Sequence, residues 1–175
     1  DGASMEGEAK ESFAAIPGLC ARGVMNPFVL IISDNNTKLS GRITDDSFSM
    51  QPTFEAMEKL GWKTVKIENG NDLQACYTGL ETALSEVSNE KPVFVWLKTT
   101  KGYGVKSTAE AASGGHGFPI KAYSEDINAF VDEIMGGNTP DELKTWANEL
   151  TQKPESSSGS DIPKEKAQAG LARGA

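Results

Sequence analysis

The sequence contains few of the residues that mark secreted, membrane-spanning or redox proteins. Among its 175 residues are two cysteines, Cys20 and Cys76, and they lack the CxxC spacing of redox and metal-binding motifs. We therefore expect two reduced structural thiols in a cytoplasmic protein. No apolar run is long enough to span a bilayer, and the first residues form neither a basic nor an apolar signal region.

Basic residues are also scarce. Lysine and arginine number 17 against 25 aspartates and glutamates, which gives a formal net charge of −8 and a sequence pI of about 4.7. Without a basic patch, we expect no binding to nucleic acid and no binding to an anionic membrane. The length suffices for one domain with a sizeable core.

The hydrophobic pattern predicts an α/β fold. Continuous apolar runs at residues 28–32 and 93–97 are typical of strands buried on both faces, and residues 63–67 alternate like a third strand. A helical pattern precedes each strand; the first, at residues 5–16, is ended or kinked by Pro17 and Gly18. The third carries an apolar stripe of Leu73, Cys76, Tyr77, Leu80, Leu84 and Val87. This order predicts a parallel sheet with helices on both faces and right-handed crossovers.

The later part of the chain predicts a long loop, two helices and a tail. Residues 98–123 form a glycine-rich loop of a length that compact domains rarely carry without a use. Helices are predicted at 125–135 and 140–152, the second with a capping box of Thr139, Pro140 and Glu142. We expect residues 1–152 to belong to one domain and residues 153–175 to be a flexible linker and tail that leads toward a further domain.

The first 36 residues predict a ligand site. An aspartate on a glycine turn, Asp1-Gly2, is followed by a helix, a buried strand and then Asn35-Asn36. Ligands of open parallel sheets bind outside the carboxyl ends of the strands, so Asp1 and Asn36 should face one small space. Carboxylate and amide oxygens suit magnesium better than zinc, and magnesium completes its shell with water and phosphate oxygens. Gly2 would let the backbone approach a phosphate, beside the N–H groups of a helix start.

These residues resemble the thiamine diphosphate fingerprint Gly-Asp-Gly…Asn-Asn, and further blocks resemble transketolases. The blocks follow the family's order and cover about residues 1 to 122; they are Met5-Glu6-Gly7, residues 61–65 (GWKTV), 68–72 (ENGND), 98–104 (KTTKGYG) and 115–119 (GHGFP). The resemblance implies the thiamine diphosphate-binding fold, incomplete at the N-terminus because a segment of the same domain precedes Asp1 in the family. We therefore expect this chain to be one part of a divided polypeptide.

The resemblance also implies a metal site. The family binds magnesium, with calcium as an alternative, through the fingerprint aspartate, the second asparagine and the backbone carbonyl two residues later. On this sequence those ligands are Asp1, Asn36 and the carbonyl of Lys38. The interval after Gly2 is a few residues longer than the family's, so Asn35 is the substitute for Asn36.

The cofactor contacts implied by the resemblance are Gly2, Asn36, His116 and Glu6. In transketolases the residue matching His116 contacts the diphosphate and lies near the substrate hydroxyls, and an imidazole can transfer protons near neutral pH. We therefore expect His116 to be catalytic. The glutamate matching Glu6 lies at the dimer interface, in contact with acidic residues of the other active site.

As a function, the resemblance implies transfer of a two-carbon ketol unit between phosphorylated ketose and aldose sugars. The expected partners are these sugar phosphates, a pyrimidine-binding domain from the same or a second chain, and a second copy in a homodimer. This segment alone is expected to be inactive. Two alternatives stay open: another thiamine diphosphate enzyme, such as deoxyxylulose phosphate synthase or the homodimeric pyruvate dehydrogenase component, or a non-catalytic degenerate domain. The second alternative is left open by Ser113-Gly114-Gly115, where the family has another histidine.

Overall fold

A computed structural model of the protein describes residues 2–88, 91–111 and 120–153. Asp1, His116 and residues 154–175 of the expected linker and tail lie outside the described residues. The described chain falls into two compact units, residues 1–119 and 120–175.

Its helices are a 3-10 turn at Gly2–Met5, α1 (Gly7–Ala21), α2 (Ile43–Asp46), α3 (Gln51–Leu60), α4 (Leu73–Glu86), α5 (Lys106–Ala109), α6 (Asp126–Ile134) and α7 (Asp141–Thr151). Its strands are β1 (Val29–Asp34), β2 (Thr37–Lys38), β3 (Gly41–Arg42), β4 (Lys63–Ile67) and β5 (Val93–Lys98).

The main sheet of the first unit is parallel, as predicted. Within the described residues its strand order is β1-β5-β4, and Val93 is the register partner of both Val29 and Lys63. The central strand β5 is buried from Val93 to Trp96, as its continuous apolar run predicts. The prediction that β1 is buried on both faces is wrong for the described chain, because β1 is an edge strand of this sheet and Ile31 is 50% exposed.

Helices cover both faces of this sheet, as predicted. On one face the side chains from α1, α3, β1 and β5 form a core that contains Phe13, Ile32, Met50, Phe54, Met57, Trp62, Phe94 and Trp96. On the other face α4 packs on β4 and β5, and this core contains Ile67, Ala83, Val93 and Val95. Burial of apolar surface on both sides therefore fixes the sheet between two helical layers.

Helix α1 continues through Pro17 to Ala21, so of the two predicted effects of Pro17 and Gly18, an end or a kink, the end is wrong. A proline inside a helix has no N–H to donate to the carbonyl four residues earlier. Here that carbonyl belongs to Phe13, and it accepts a hydrogen bond of 2.8 Å from the buried indole Nε1 of Trp62. The Trp62 indole therefore pairs with the Phe13 carbonyl that the proline leaves without its helical donor, so the helix continues past Pro17 without an unpaired carbonyl there.

Between β1 and α3 the chain forms the small antiparallel hairpin β2-β3 and the short helix α2. Helix α3 then ends at Gly61, which has a φ of +108° and donates its N–H to Glu58 O. Glycine adopts this left-handed conformation without steric cost.

Helix α4 forms where predicted, with Asp72 as its N-cap, but its large apolar residues do not face the sheet. Leu73, Tyr77, Leu80 and Leu84 are 86%, 58%, 36% and 66% exposed. The small residues Ala75, Gly79 and Ala83, spaced four apart, are on the side that packs on the sheet. Because these residues are small, the helix backbone can lie close to the strands. This close packing, rather than the positions of the larger apolar side chains, determines which face of the helix contacts the sheet.

The second unit contains α6 and α7, close to the predicted helices at 125–135 and 140–152. The two helices contact each other, and Asn128 Nδ2 donates to Asn148 Oδ1 at 2.9 Å. The predicted capping box at α7 is wrong, because no side chain caps this helix. The Thr139 hydroxyl donates instead to Asp132 Oδ1 at 2.7 Å and so links the two helices.

The two cysteines are unpaired, as predicted: Cys20 is buried and Cys76 is partly exposed. Across residues 2–88, 91–111 and 120–153, no helix is both long and apolar enough to cross a membrane.

Candidate functional site

The loop after β1 and the turn before α1 meet at an open cleft of about 640 Å³. Of the residues singled out from the sequence, the structure brings Gly2, Glu6 and Lys38 together in this cleft, where Lys101 joins them. Asn36 does not line the cleft, and Asp1 and His116 lie outside the described residues. The prediction that Asp1 and Asn36 face one small space stays a prediction, because Asp1 is not described; in the structure Gly2 contacts the hairpin after β1, and Asn36 lines a different cavity.

Gly2 lies directly against the hairpin. A Cβ atom added to Gly2 would be 3.2 Å from both Thr37 O and Lys38 Cα, closer than ordinary van der Waals contact. The absence of a side chain thus lets two backbone segments approach each other. The contact also places the Thr37 carbonyl oxygen next to Gly2. Because successive carbonyls of an extended strand point in opposite directions, we expect the Lys38 carbonyl to point away from Gly2.

Asn36 closes the hairpin with its side chain. Its φ is +56°, a left-handed conformation that asparagine tolerates better than most residues. Its Oδ1 accepts from the N–H of Thr44, and its Nδ2 donates to Thr44 Oγ1, both at 3.0 Å. Its backbone carbonyl accepts from the N–H of Ile43. Asn36 lines a separate, smaller cavity of about 170 Å³ with Asp34 and Lys98.

Asn35 and Thr37 are bonded to each other across this turn. Asn35 Oδ1 accepts from the N–H of Thr37 at 3.0 Å, and the Thr37 hydroxyl donates to the Asn35 carbonyl at 3.0 Å. Such an Asx turn fixes a short polar side chain against its own backbone. Thr37 is only 3% exposed, so the turn is held in one arrangement.

Asp34 at the end of β1 forms a charged cluster that the sequence analysis did not single out. Its Oδ2 accepts from Trp96 Nε1 at 2.7 Å and from Lys98 Nζ at 2.6 Å. Lys66 and Lys98 both place their ammonium groups over the Trp96 ring, at 4.5 and 4.7 Å from its centroid. This cluster fixes the carboxyl ends of β1 and β5 next to each other.

The charges at the cleft itself come from Lys38, Lys101 and Glu6. Lys38 Nζ is paired with Asp46 at 2.8 Å and bonds Ser40 Oγ at 2.6 Å. Glu6 is exposed and precedes the first residue of α1, where it makes no side-chain cap. The free N–H groups of a helix start favour an anion, and α1 begins at this cleft.

The donors at the cleft suit a hard cation. Carbonyl oxygens, such as that of Thr37 in the cleft wall, are typical ligands of magnesium and calcium, and so are amide oxygens, such as that of the preceding Asn35, which is hydrogen-bonded to Thr37. In the part of the chain that the structure describes, no group of three His, Cys, Asp or Glu side chains could hold a metal. Because Gly2 packs directly against the hairpin, backbone groups of the turn before α1 and of residues 37–40 line the same cleft.

Arg42, at the end of β3, is a further residue that the sequence reasoning missed. Its guanidinium donates to Thr37 Oγ1 at 3.0 Å and to the carbonyls of Ala109 and Ala111 at 2.6 and 2.9 Å. Two of these acceptors are backbone oxygens almost 70 positions away in sequence. No residue-type pattern signals such a contact.

The parallel sheet and the cleft after β1 place the chain in the class of open α/β domains whose ligands bind outside the carboxyl ends of the strands. Within that class, the chain belongs to the transketolase family. The family model described as the transketolase thiamine diphosphate binding domain matches residues 1–158.

Similar sequences and structures agree with this assignment. The chain is 33% identical over 136 residues to a probable transketolase of Streptococcus pneumoniae, a match that covers 78% of this chain and 19% of that protein. It is 32% identical over 122 residues to the transketolase of Geobacillus stearothermophilus, with 70% and 17% covered. The chain thus spans less than a fifth of these relatives.

Among solved structures, the fold is similar to the transketolase of Pichia stipitis in complex with sedoheptulose-7-phosphate. The TM-score is 0.56 at 21% identity, and the match covers 86% of this chain and 21% of that one. The transketolase of Campylobacter jejuni gives a TM-score of 0.53 at 21% identity, with 86% and 23% covered. At these identities the similarity shows the fold alone.

Proposed function

We propose that the complete protein is a transketolase-like transferase that moves a two-carbon ketol unit from a phosphorylated ketose to a phosphorylated aldose. Membership of the transketolase family supports this reaction class. The proposed cofactors are thiamine diphosphate and magnesium, with calcium as an alternative metal. Residues 1–152 supply the diphosphate and metal site, and residues 153–175 lead toward a further domain.

The observation that carries the proposal is the contact of Gly2 with the hairpin. A metal ligand at Asp1 would then lie beside the oxygens of the turn after β1, because Asp1 directly precedes Gly2. In this proposal Gly2 and the start of α1 bind the diphosphate, and Glu6 reaches the second subunit of a homodimer. His116 binds the diphosphate and exchanges protons with the substrate hydroxyls.

Two registers of the metal site are open, and the hydrogen bonds favour one of them. In the first, the ligands are Asn36 and the carbonyl of Lys38; in the second, they are Asn35 and the carbonyl of Thr37. Asn36 directs both ends of its amide to Thr44 and lines a separate cavity, whereas the Thr37 carbonyl oxygen lies next to Gly2. We therefore favour Asn35 and Thr37 as the partners of Asp1.

A matched pair of variants of the complete protein decides between these registers. In Asn36→Gly the backbone keeps its positive φ and loses only the side chain, so we expect the magnesium concentration for half-maximal cofactor binding to rise about twofold or less. In Asn35→Ala we expect it to rise by roughly tenfold or more, in the range seen when groups that support a metal are lost. Titration calorimetry measures both. The reverse order of effects would establish the Asn36 and Lys38 register.

In the proposed reaction the cofactor and the residues of this chain have different roles. When bound, thiamine diphosphate supplies the nucleophilic carbon that takes up the two-carbon unit. The residues of this chain hold the diphosphate and the metal, so that the reactive ring stays in one position. The resemblance places the glutamate that activates the aminopyrimidine in a pyrimidine-binding domain of the same or a second chain.

The reaction is tested by assaying the complete protein with xylulose 5-phosphate and, separately, with pyruvate. We expect turnover of the sugar phosphate in the presence of an aldose phosphate, thiamine diphosphate and magnesium, and none with pyruvate. Asp1→Ala serves as the inactive control and Gly18→Ala, far from the cleft in sequence, as the active one. Turnover of pyruvate would favour another thiamine diphosphate enzyme, and a folded protein that binds no cofactor would favour a non-catalytic domain.

A further inference from the structure

Arg42 joins two segments of the first unit that are far apart in sequence. One guanidinium nitrogen donates to Thr37 Oγ1 in the hairpin, and the other donates to the carbonyls of Ala109 and Ala111. The planar guanidinium presents its donors in a fixed fork, so three acceptors held by one arginine are held at fixed relative positions. A lysine has a point charge and cannot reproduce this geometry.

The segment that Arg42 holds is already fixed at its other end. Thr99 Oγ1 and Ser33 Oγ are hydrogen-bonded at 2.6 Å, and the N–H of Thr100 donates to Asn71 Oδ1 at 2.8 Å. Within the segment, the hydroxyl of Thr108 is 2.9 Å from the carbonyl of Gly102. Arg42 supplies the attachment at residues 109–111, which precede the glycine-rich stretch that contains His116 in the sequence.

In the hairpin, Arg42 binds Thr37, which belongs to the turn that lies against Gly2. The Thr37 hydroxyl accepts from Arg42 while it donates to the Asn35 carbonyl, so the arginine also fixes the direction of that hydroxyl. The Thr37 backbone carbonyl is the oxygen that meets Gly2. A change at Arg42 therefore reaches both the turn at the cleft and the segment at 109–111.

We propose that Arg42 is a positioning residue of the cofactor site: it holds the Asn35–Thr37 turn and residues 109–111 in one arrangement without touching the cofactor. The proposal rests on the proposed function, because it assigns the turn to the thiamine diphosphate and magnesium site. Arg42 would support that site through its hydrogen bonds to the Thr37 hydroxyl and to the backbone carbonyls of Ala109 and Ala111.

The test compares Arg42→Lys and Arg42→Ala with Arg22→Ala in the complete protein. Arg22 is an exposed residue at the end of α1, so it controls for the loss of one surface arginine. Amide hydrogen exchange is followed at residues 106–111 and, for comparison, in β5. Thiamine diphosphate affinity is measured by calorimetry at saturating magnesium, well below the unfolding temperature.

We expect both Arg42 variants to speed exchange at residues 106–111 by roughly tenfold while the amides of β5 keep their protection. The cofactor affinity should fall by roughly tenfold, the size of effect seen when a supporting contact of a metal site is lost. The lysine variant keeps the charge and most of the stem, so it provides the comparison if the alanine variant does not fold. Arg22→Ala should change neither quantity.

Two outcomes would overturn the proposal. Faster exchange or a lower unfolding temperature without any change in cofactor affinity would mean that Arg42 only stabilises the fold. Unchanged exchange in both variants would mean that the three hydrogen bonds do not hold the segment. A wild-type protein that binds no thiamine diphosphate would be a different result, because it would refute the proposed function and the positioning role with it.

Discussion

At the scale of single residues, Gly2 is the position where one methyl group should disturb the cleft. The added Cβ of Gly2→Ala would press on Thr37 O and Lys38 Cα, so the turn and the hairpin would have to separate. We expect the affinity for thiamine diphosphate to fall by roughly tenfold, because overpacking of this kind costs about 1–3 kcal/mol. Calorimetric titration of the complete protein measures the change. An affinity equal to that of the wild type would show that the close approach has no role in binding.

The residues of this site were predictable to different degrees. A general rule for parallel sheets predicts a ligand site beyond the end of β1, and the structure has an open cleft beside the hairpin that follows this strand. The choice between Asn35 and Asn36 depends on one positive φ and on hydrogen bonds to Thr44, which residue types alone do not reveal. Arg42 was missed because its acceptors include backbone carbonyls, and any residue can supply these.

At the scale of helices and strands, the same substitution should have opposite effects in two helices. Gly18 in α1 is exposed and an added Cβ would meet nothing within 4 Å, so Gly18→Ala should stabilise the protein by about 0.5–1 kcal/mol. A Cβ on Gly79 in α4 would overlap Cδ1 and Cγ1 of the buried Ile67. Gly79→Ala should therefore destabilise it by about 1–3 kcal/mol. Urea unfolding of the complete protein measures both; two stabilising substitutions would mean that α4 does not lie close to β4.

The sequence predicted where the helices and strands lie along the chain better than it predicted which of their faces are buried. Continuous apolar runs of strand length identified β1 and β5, although of the two only β5 is the central, buried strand of the described sheet. The face of α4 was predicted wrongly because its contact with the sheet is made by Ala75, Gly79 and Ala83, and hydrophobic periodicity gives small residues little weight. The course of α1 through Pro17 depends on the Trp62 indole, a tertiary partner that local rules cannot include.

At the scale of the whole molecule, we expect the isolated 175-residue chain to show no ketol transfer. The proposed reaction needs a glutamate from a pyrimidine-binding domain, which the resemblance places outside this part of the family's fold. The measurement is the coupled assay with xylulose 5-phosphate and an aldose phosphate, with thiamine diphosphate and magnesium added and the complete protein as the positive control. Turnover by the isolated chain would require a different source for the activating group.

The central position of β5 has a consequence for how the chain is made. Val93 is the register partner of both Val29 and Lys63, so neither β1 nor β4 has its described neighbour until β5 has left the ribosome. A nascent chain that ends before Val93 lacks the strand that lies between β1 and β4 in the described sheet. Non-local pairing of this kind is slow and leaves partly made chains open to aggregation. Translation therefore passes through an interval, before β5 emerges, in which we expect the growing chain to be prone to aggregation.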